Sequence, residues 1–468
     1  MRMRLLIVCA LAVVACNRAG ASFQPPAVPG TEPMVFQPDT HHVIPFFEYK
    51  GGKNGGIKLS NYGGAAFIGD PQKALYSVAP SGGIDKCRRH YYWPGCGLVY
   101  ELTPQKSSAF YKETILHTFD KTDGGVPDAA LVMDKAGSLY GTTSLGSKYN
   151  DGNVFRLTPS RGGYTPTVLY SFKGGADGAA PAAPLILDDK GALYGTTTGS
   201  NVFQCDGSSS GSSKYCGTVF KLTPSGSRYT EKVLHAFLKS SKDGTSPEAG
   251  LTADAKGNLF GTTAAGGTGN IGTVFELTPA GSGEYTERIL SNLEHGGDYP
   301  SSGVVEENGT FYGTTYFGGS GYCISFHFFF PPGCGVLYKV APHGSGYVES
   351  VVHDFVKVSG GFFPLGLISG HDGFLYGTTD QGGYVKGRAC RGGGSGYGYS
   401  PAGCGVIYRL RLSDGDFQVL YAFRDKTDGD LPEGGFPRSP LLDAGGVFYG
   451  TNTLGGAHNQ GVGFALRP

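Results

Sequence analysis

A five-residue motif recurs along the 468-residue chain and constrains its fold more than any other feature. The motif consists of Leu or Phe, an aromatic residue, glycine, threonine and then Thr or Asn. Each copy is followed by a segment that starts with glycine and ends on an aromatic residue. A unit copied in this way is a supersecondary building block, so the chain is a repeat protein. The copies occupy residues 139–143, 193–197, 259–263, 311–315, 375–379 and 448–452, and a degenerate seventh copy starts at Leu75.

Each unit carries four strand signals in a fixed order, as residues 185–187, 193–197, 219–222 and 233–237 illustrate. Turn-forming Asp, Pro, Ser and Gly residues separate these signals. Four short strands joined as a meander form one blade of a β-propeller. The 80 glycines and only 16% charged residues leave little material for amphipathic helices. We therefore predict an all-β fold, a seven-bladed β-propeller of four-stranded blades.

The seventh unit lacks a fourth strand, because its third strand at residues 461–464 lies at the C-terminus. Residues 42–47 near the N-terminus resemble the fourth strands of other units, such as residues 168–172. We predict that this N-terminal strand completes the last blade and closes the ring, which removes an open sheet edge. Pro45 fits an outermost strand, where a missing N–H is tolerated.

The N-terminus has the pattern of an export signal. Arg2 and Arg4 precede an apolar run over residues 5–15, which is too short to span a bilayer. Two cleavage sites stay open: a lipobox-like sequence ends at the lipidation candidate Cys16, and residues 19–21 fit ordinary secretion. We expect the mature chain outside the cytoplasm, secreted or lipid-anchored at the bacterial cell surface.

The chain is expected to contain one folded domain. A lipid on Cys16 would be its single membrane contact, because no second apolar stretch approaches the length of a spanning helix. The predicted division is a signal peptide over residues 1–21, a Pro-rich tether over residues 22–40 and the propeller over residues 41–468.

The cysteines provide an independent check on the repeat. Of the 10 cysteines, all but Cys9 and Cys16 lie in pairs between the second and third strands of a unit. Every long loop at this position contains a pair and no short loop does. This placement predicts four local disulfides, each contributing about 2–3 kcal/mol through chain entropy. The pairs are spaced too widely for a zinc site. They are Cys87–Cys96, Cys205–Cys216, Cys323–Cys334 and Cys390–Cys404.

The cysteine-bearing insertions are rich in aromatic residues. In a propeller the loops after the second and fourth strands share one face, here called the insertion face. Exposed aromatic residues in such numbers mark interaction sites, although rings that pack on each other inside coreless loops are the alternative. The binding interpretation selects Tyr91, Tyr92, Trp93, Phe326, Phe328, Phe329, Phe330, Tyr384, Tyr397 and Tyr399.

The connections between blades repeat an Asp-Gly pair followed by proline. Asp-Gly is a turn signal, so a structural role is predicted. Calcium is the alternative, because carboxylate and carbonyl oxygens are its ligands, but one recurring Asp per connection falls short of a strong site. The copies begin at Asp123, Asp177, Asp243 and Asp428.

No catalytic residues emerge from the sequence. A catalytic set should break the repeat symmetry and converge at one point. Instead, His117, His235 and His353 follow the repeat, each two residues before a Phe, which predicts packing. No nucleophile elbow, zinc motif, phosphate loop or dinucleotide fingerprint is present. With 38 basic and 38 acidic residues, the chain lacks the positive charge that nucleic-acid binding needs.

The motif and the glycine-led strand that follows it resemble the bacterial GloVer (Gloeobacter/Verrucomicrobia) family of extracellular tandem-repeat proteins. The resemblance covers roughly residues 41–468, and the degenerate first copy and the cysteine-bearing insertions depart from it. It implies a cell-surface protein carrying one of several anchors, and it implies no activity.

The function expected from these observations is that of a monomeric binding module without a catalytic site, a cofactor or a metal. Its expected partner is a glycan or a surface protein, bound through the aromatic loops of the insertion face. An extracellular propeller enzyme, a polysaccharide lyase or hydrolase, is the alternative.

Overall fold

The chain folds almost entirely into β-strands. The computed structural model describes residues 43–54, 65–84, 86–87, 95–199, 215–226, 228–238, 242–294, 296–300, 302–321, 333–356, 360–370, 372–383, 403–424 and 435–467. Two single-turn 3-10 helices occur in these ranges, at Gly52–Asn54 and Gly175–Asp177. None of the helices in the described part is long and apolar enough to cross a membrane.

Six antiparallel four-stranded meanders follow one another along the chain, and a seventh sheet joins the two ends. The N-terminal strand is β1 (Val43–Glu48); blade 1 comprises β2 (Ile68–Asp70), β3 (Ala74–Ala79), β4 (Leu98–Gln105) and β5 (Ser108–Thr118); blade 2 comprises β6 (Val132–Met133), β7 (Leu139–Thr143), β8 (Asn153–Ser160) and β9 (Gly163–Ser171); blade 3 comprises β10 (Ile186–Leu187), β11 (Leu193–Thr197), β12 (Tyr215–Ser225) and β13 (Arg228–Leu238).

The second half of the ring repeats this order with one addition. Blade 4 comprises β14 (Thr252–Ala253), β15 (Leu259–Thr263), β16 (Thr273–Gly281) and β17 (Glu284–Ser291); a short ribbon pairs β18 (Gly297–Asp298) with β21 (Phe317–Gly318); blade 5 comprises β19 (Val305–Glu307), β20 (Thr310–Thr315), β22 (Val336–His343) and β23 (Gly346–Asp354); blade 6 comprises β24 (Phe362–Ser369), β25 (Phe374–Gln381), β26 (Val406–Arg411) and β27 (Phe417–Ala422); blade 7 comprises β28 (Gly435–Pro437), β29 (Leu442–Asp443), β30 (Phe448–Leu454) and β31 (Val462–Leu466). The predicted seven-bladed propeller is confirmed.

The ring closes as predicted, through the N-terminal strand. Strand β1 pairs antiparallel with β31, from Val43 opposite Leu466 to Glu48 opposite Val462. Strand β1 therefore forms the outermost strand of blade 7, where Pro45 lacks a backbone donor. Phe47 of β1 packs on Tyr100 of blade 1 with ring centroids 5.8 Å apart. The first and last blades are thus joined by both backbone pairing and aromatic contact.

One aromatic contact recurs at the blade interfaces. A Phe at the end of the fourth strand or directly after it packs edge-on against the aromatic residue of the third strand in the next blade. Phe119 meets Phe155 at 5.1 Å between ring centroids, Phe172 meets Phe220 at 5.0 Å, Phe237 meets Phe275 at 5.3 Å, Phe355 meets Tyr408 at 5.5 Å and Phe423 meets Phe464 at 5.2 Å. The repeat therefore encodes the interface between blades as well as the blade.

The motif glycine makes room for the third-strand aromatic ring of its own blade. A Cβ added at Gly261 would lie 2.5 Å from Phe275 Cζ, and one at Gly141 would lie 2.6 Å from Phe155 Cζ. The ring lies directly over the glycine Cα, so a side chain there would collide with it. This contact explains why glycine and the aromatic residue recur together.

In blades 2 to 5 the first motif threonine ties the blade to the next. Thr196 Oγ1 donates to the carbonyl of Ala249 at 3.1 Å, and Thr262 Oγ1 donates to that of Ser302 at 2.9 Å. These carbonyls lie in the segments that lead into the first strand of the following blade. The lead-in segments also touch one another, since a Cβ added at Gly303 would lie 2.5 Å from the Gly250 oxygen. They therefore form the centre of the ring.

Candidate functional site

The ten aromatic residues predicted to bind a ligand all lie outside the described residues, so that prediction stays open. The disulfide Cys87–Cys96 is confirmed. Cys216, Cys334 and Cys404 are disulfide-bonded as well. Their predicted partners Cys205, Cys323 and Cys390 lie outside the described ranges, as do Asp428 and Cys16.

The disulfide cysteines also anchor the connections between blades. The carbonyl of Cys216 accepts the N–H of Ser246 at 2.8 Å, and that of Cys404 accepts the N–H of Phe436 at 2.7 Å. Both donors stand immediately before the proline of a connection. The insertions and the connections are therefore joined at the insertion face, beside the centre of the ring.

The residue before each of these prolines has a left-handed backbone. Non-glycine residues avoid positive φ, and holding one there costs about 1–3 kcal/mol. The following proline packs on the third-strand glycine of the preceding blade; a Cβ added at Gly217 would lie 2.5 Å from Pro247 Cδ. The six residues are Val126 (φ 57°), Ala180 (53°), Ser246 (56°), Tyr299 (58°), Phe363 (57°) and Phe436 (59°).

Side chains at this strained position change around the ring. They are small or aliphatic where the chain leads into blades 2, 3 and 4, and aromatic where it leads into blades 5, 6 and 7. The residue after the second motif threonine changes in parallel, from Ser144 and Ala264 to Tyr316 and Asp380. Symmetry is thus broken on one side of the ring centre, at the insertion face.

A continuous set of contacts runs across this altered side, here called the mouth network. Tyr299 donates to Glu248 Oε2 at 2.8 Å, and Tyr316 donates to Asp380 Oδ2 at 3.0 Å. Phe317 connects the two tyrosines, with ring centroids 6.1 Å from Tyr299 and 4.9 Å from Tyr316. The network contains Glu248, Tyr299, Phe317, Tyr316, Asp380 and Arg438 and spans blades 4 to 7.

Arg438 and Asp380 form the charged end of the mouth network. Arg438 Nε lies 2.8 Å from Asp380 Oδ1, and its Nη2 lies 2.9 Å from Oδ2, which is a bidentate pair. The Asp380 carboxylate raises the pKa of Arg438 above the ordinary value of an arginine. Asp380 is buried, whereas 28% of the Arg438 side chain is exposed. The ion pair therefore holds the Arg438 guanidinium in a fixed position at the mouth, which is the centre of the ring on the insertion face.

Two further carboxyl groups at the mouth have no such partner. Asp128 and Glu248 occupy the position after the connection proline, leading into blades 2 and 4. Burial raises the pKa of each to about 7. Asp128 Oδ1 and Glu248 Oε1 are shielded from solvent and accept no hydrogen bond from any described residue.

The recurring histidines pack as predicted, and two of them, His117 and His235, also lie next to the Asp of the Asp-Gly pair. His235 lies 4.6 Å from Phe237 between ring centroids, and its Nε2 lies 2.7 Å from Asp243 Oδ2. His117 and Asp123 form the same pair at 2.8 Å. These contacts support the structural role of Asp-Gly. Within the described ranges, no three His, Cys, Asp or Glu side chains converge as metal ligands; calcium stays an untested alternative.

A separate depression of about 650 Å³ lies on the opposite face of blade 4. Its lining comes from the turns that join the first to the second strand and the third to the fourth. It is lined by Lys256, Asn258, Glu276, Thr278, Pro279, Thr286 and Arg288.

Sequence reasoning missed the mouth residues, although a signal was present. With the repeats aligned, Asp128, Glu248 and Arg438 share the position after the proline, and Tyr316 and Asp380 share the position after the second threonine. Charged and aromatic residues replace small ones there. This is the break in symmetry that a site requires.

Comparison with known proteins supports the repeat. A sequence profile of the Gloeobacter/Verrucomicrobia repeat matches residues 70–326. No curated protein matches the chain.

Solved structures that match the chain include a proposed 6-phosphogluconolactonase from Bacteroides uniformis, with 12% identity, a TM-score of 0.41 and coverage of 74% of this chain and 80% of that one. A proposed gluconolactonase has 12% identity, a TM-score of 0.38 and coverage of 88% and 91%. The Trypanosoma rangeli sialidase has 9% identity, a TM-score of 0.39 and coverage of 91% and 58%. No conclusion about activity follows from these likenesses.

Proposed function

Because this chain belongs to the Gloeobacter/Verrucomicrobia repeat family and folds as a propeller with one altered mouth, we propose that it is a non-catalytic binding module for a glycan. The ligand lies on the insertion face, over the mouth network and against the aromatic insertions. The protein acts outside the cytoplasm, secreted or lipid-anchored through Cys16. The disulfides support this location, because such bonds persist in oxidising compartments.

The observation that carries the proposal is the composition of the mouth network. Tyr299, Tyr316 and Phe317 are half-buried aromatic side chains, held next to a buried ion pair at one end and a buried carboxyl at the other. Ligand sites combine aromatic walls with a few fixed polar groups in this way. Sugar rings offer both the apolar faces and the hydroxyl groups that such a surface matches.

The position of the network also favours a ligand that rests on the mouth over one that threads the ring. The lead-in segments of blades 3, 4 and 5 are in contact, since a Cβ added at Gly250 would lie 3.3 Å from Pro184 Cδ. The small residues there let neighbouring blades approach closely. Binding energy is therefore expected to come from the rim of the mouth and from the insertions above it.

The test is retention of polysaccharides by the full chain, expressed with its export signal and purified with its disulfides intact. Tyr316→Ala is expected to weaken binding about tenfold or more, or about 1.4 kcal/mol. Tyr316→Phe removes only the hydroxyl group bonded to Asp380 and is expected to weaken binding less. Tyr285→Ala is the matched control, because Tyr285 is a half-buried tyrosine of the opposite face that bonds the Gly257 carbonyl at 3.4 Å.

The contribution of the insertions is tested separately with Trp93→Ala, which alters the only Trp of the chain. We expect weaker binding without a change in thermal unfolding. Soluble products released from a retained polysaccharide would contradict the non-catalytic proposal and favour the lyase or hydrolase. A panel in which no glycan is retained, while a surface protein is, would assign the face to a protein partner.

A further inference from the structure

Two carboxyl groups at the mouth are buried without a counter-charge. The Asp128 residue is only 6% exposed. Its one hydrogen-bond partner is Ser144, whose Oγ lies 3.4 Å from Asp128 Oδ2 and 3.1 Å from the Val126 carbonyl. A hydroxyl group has one proton to donate, and the carbonyl is the nearer acceptor. The Asp128 carboxyl is therefore poorly satisfied within the protein.

Glu248 is in a similar position two blades further on. Its Oε2 accepts the Tyr299 hydroxyl at 2.8 Å, whereas its Oε1 has no partner. Within the part of the chain that the structure describes, no basic side chain forms an ion pair with Asp128 or Glu248. Asp298, beside Tyr299, is also only 6% exposed and has no basic partner in the same part of the chain.

Asp380 shows how the same mouth satisfies a carboxylate when the protein supplies the cation. It is bound by two nitrogens of Arg438. Buried charges in proteins are normally paired in this way, because an unpaired one loses its hydration without compensation. Among the described residues, Asp128 and Glu248 depart from that rule, and a bound cationic ligand would supply the partner that each lacks there.

We propose that the mouth binds a glycan with free amino groups, an amino sugar without its N-acetyl group, and that the carboxylates of Asp128 and Glu248 hold its ammonium groups. This inference rests on the proposed function of glycan binding. An ammonium group donates up to three hydrogen bonds and matches the acceptor oxygens that now lack partners. Because Asp128 Oδ1 and Glu248 Oε1 are shielded from solvent in the structure, binding requires the groups around them to move aside.

The overall charge of the protein does not account for such binding. The formal net charge is zero, so a cationic glycan experiences no general attraction. The groups facing the two carboxyls are neutral: Ser144 for Asp128 and the Tyr299 hydroxyl for Glu248. Burial keeps both carboxyls partly protonated near pH 7, and an ammonium ligand favours the ionised form. Affinity is therefore expected to rise as the pH increases from 5, until the amino groups of the ligand lose their protons.

The experiment compares two oligosaccharides of equal length by titration calorimetry with the full, disulfide-bonded chain. One is an oligomer of β-1,4-linked glucosamine and the other is its fully N-acetylated form. The glucosamine oligomer is expected to bind about tenfold tighter or more. Asp128→Asn and Glu248→Gln are each expected to remove most of this difference, because each weakens binding of the glucosamine oligomer more than binding of the acetylated one.

Glu284→Gln is the matched control, since Glu284 is an exposed glutamate at the start of β17 that pairs with Lys232. Unchanged thermal unfolding above pH 4, or an increase, shows that the mouth variants are folded. Equal affinity for the two oligomers, or no effect of both mouth variants, would overturn the inference.

The outcomes of the experiment also distinguish a failure of this inference from a failure of the proposed function. Retention of neutral glycans without preference for free amino groups overturns only the inference. Absence of all glycan binding overturns both. A lysine tetrapeptide that binds as tightly as the glucosamine oligomer shows that the ammonium group is recognised without a sugar, which contradicts the glycan assignment.

Discussion

Replacing Phe47 by alanine tests whether the propeller is a closed ring in solution. Phe47 lies on β1, the strand that the N-terminus contributes to blade 7, and it is 4% exposed. Its ring lies 4.9 Å from Tyr49 and 5.8 Å from Tyr100 of blade 1. In a closed ring this site is a buried interface between blades like any other. In an open ring the Phe47 side chain would lack its contact with blade 1, so its removal would change the free energy of unfolding little.

The expected size of the effect follows from the equivalent contact elsewhere. Phe237 joins blades 3 and 4, which are consecutive in sequence, by a ring contact of 5.3 Å with Phe275. Truncating a buried Phe to Ala removes both its burial and its packing, at a cost of about 3–5 kcal/mol. Phe47→Ala and Phe237→Ala should therefore lower the free energy of unfolding by similar amounts. Phe110→Ala is the control, because Phe110 is 41% exposed on an outer strand and such changes cost about 0.5 kcal/mol or less.

The assay is urea unfolding followed by far-ultraviolet circular dichroism, with the disulfides intact and reversibility established for each variant. A Phe47→Ala midpoint equal to that of Phe110→Ala, together with a lowered Phe237→Ala midpoint, would refute ring closure. Removing residues 41–50 altogether should also expose the edge of β31. We expect aggregation of that shortened protein, because an unpaired edge strand is a template for pairing between molecules.

Three further outcomes follow from single side chains. Gly261→Ala should destabilise the protein by about 1–3 kcal/mol or more, because the added methyl group overpacks the blade. Gly162→Ala is the control and should not destabilise it, since no atom lies near the added Cβ. Thermal unfolding of the two variants measures the difference. Asp128→Asn should stabilise the protein at pH 8 and not at pH 4. Burial raises the pKa of the Asp128 carboxyl from 3.8 to about 7. The free energy of unfolding of the wild type therefore falls as the pH rises through that interval, by at most about 4 kcal/mol. His353 stacks on Phe417 with ring centroids 3.7 Å apart, and burial lowers the pKa of His353 from 6.5 to about 4. The stability of the protein should therefore decline as the pH falls from 6.5 to 4. In melting curves measured over a pH series, His353→Tyr should remove that part of the acid sensitivity.

The repeat motif predicts the fold because its residues make contacts that the blades require. Gly141 leaves space for the ring of Phe155, and Thr196 bonds the next blade. The glycine contact recurs in blades 2 to 7 and the threonine bond in blades 2 to 5, so these requirements can be read from one sequence. Closure was predictable for the same reason, because the N-terminal segment has the composition of the outer strand that the last unit lacks.

The interfaces between blades were harder to predict than the blades themselves. The contact between Phe172 and Phe220 joins residues of different units, and a strand pattern does not reveal which ring a side chain meets. The ribbon of β18 and β21 and the very short first strands, such as Val132–Met133, also lack a periodic signal. Two residues are too few to show alternation.

The mouth residues were not predictable because the repeat leaves their side chains unconstrained. At Tyr299 the backbone is fixed by a left-handed φ of 58°, by the N–H bond to Ile271 and by the proline that follows. None of these constraints involves the side chain, and the same position holds Val126 or Ala180 in other blades without a change in backbone. The turn thus holds the main chain in place while its side chains vary. Binding specificity can therefore change at this position without disturbing the contacts between blades, and the aromatic residues of blades 5 to 7 are expected to affect ligand affinity more than stability.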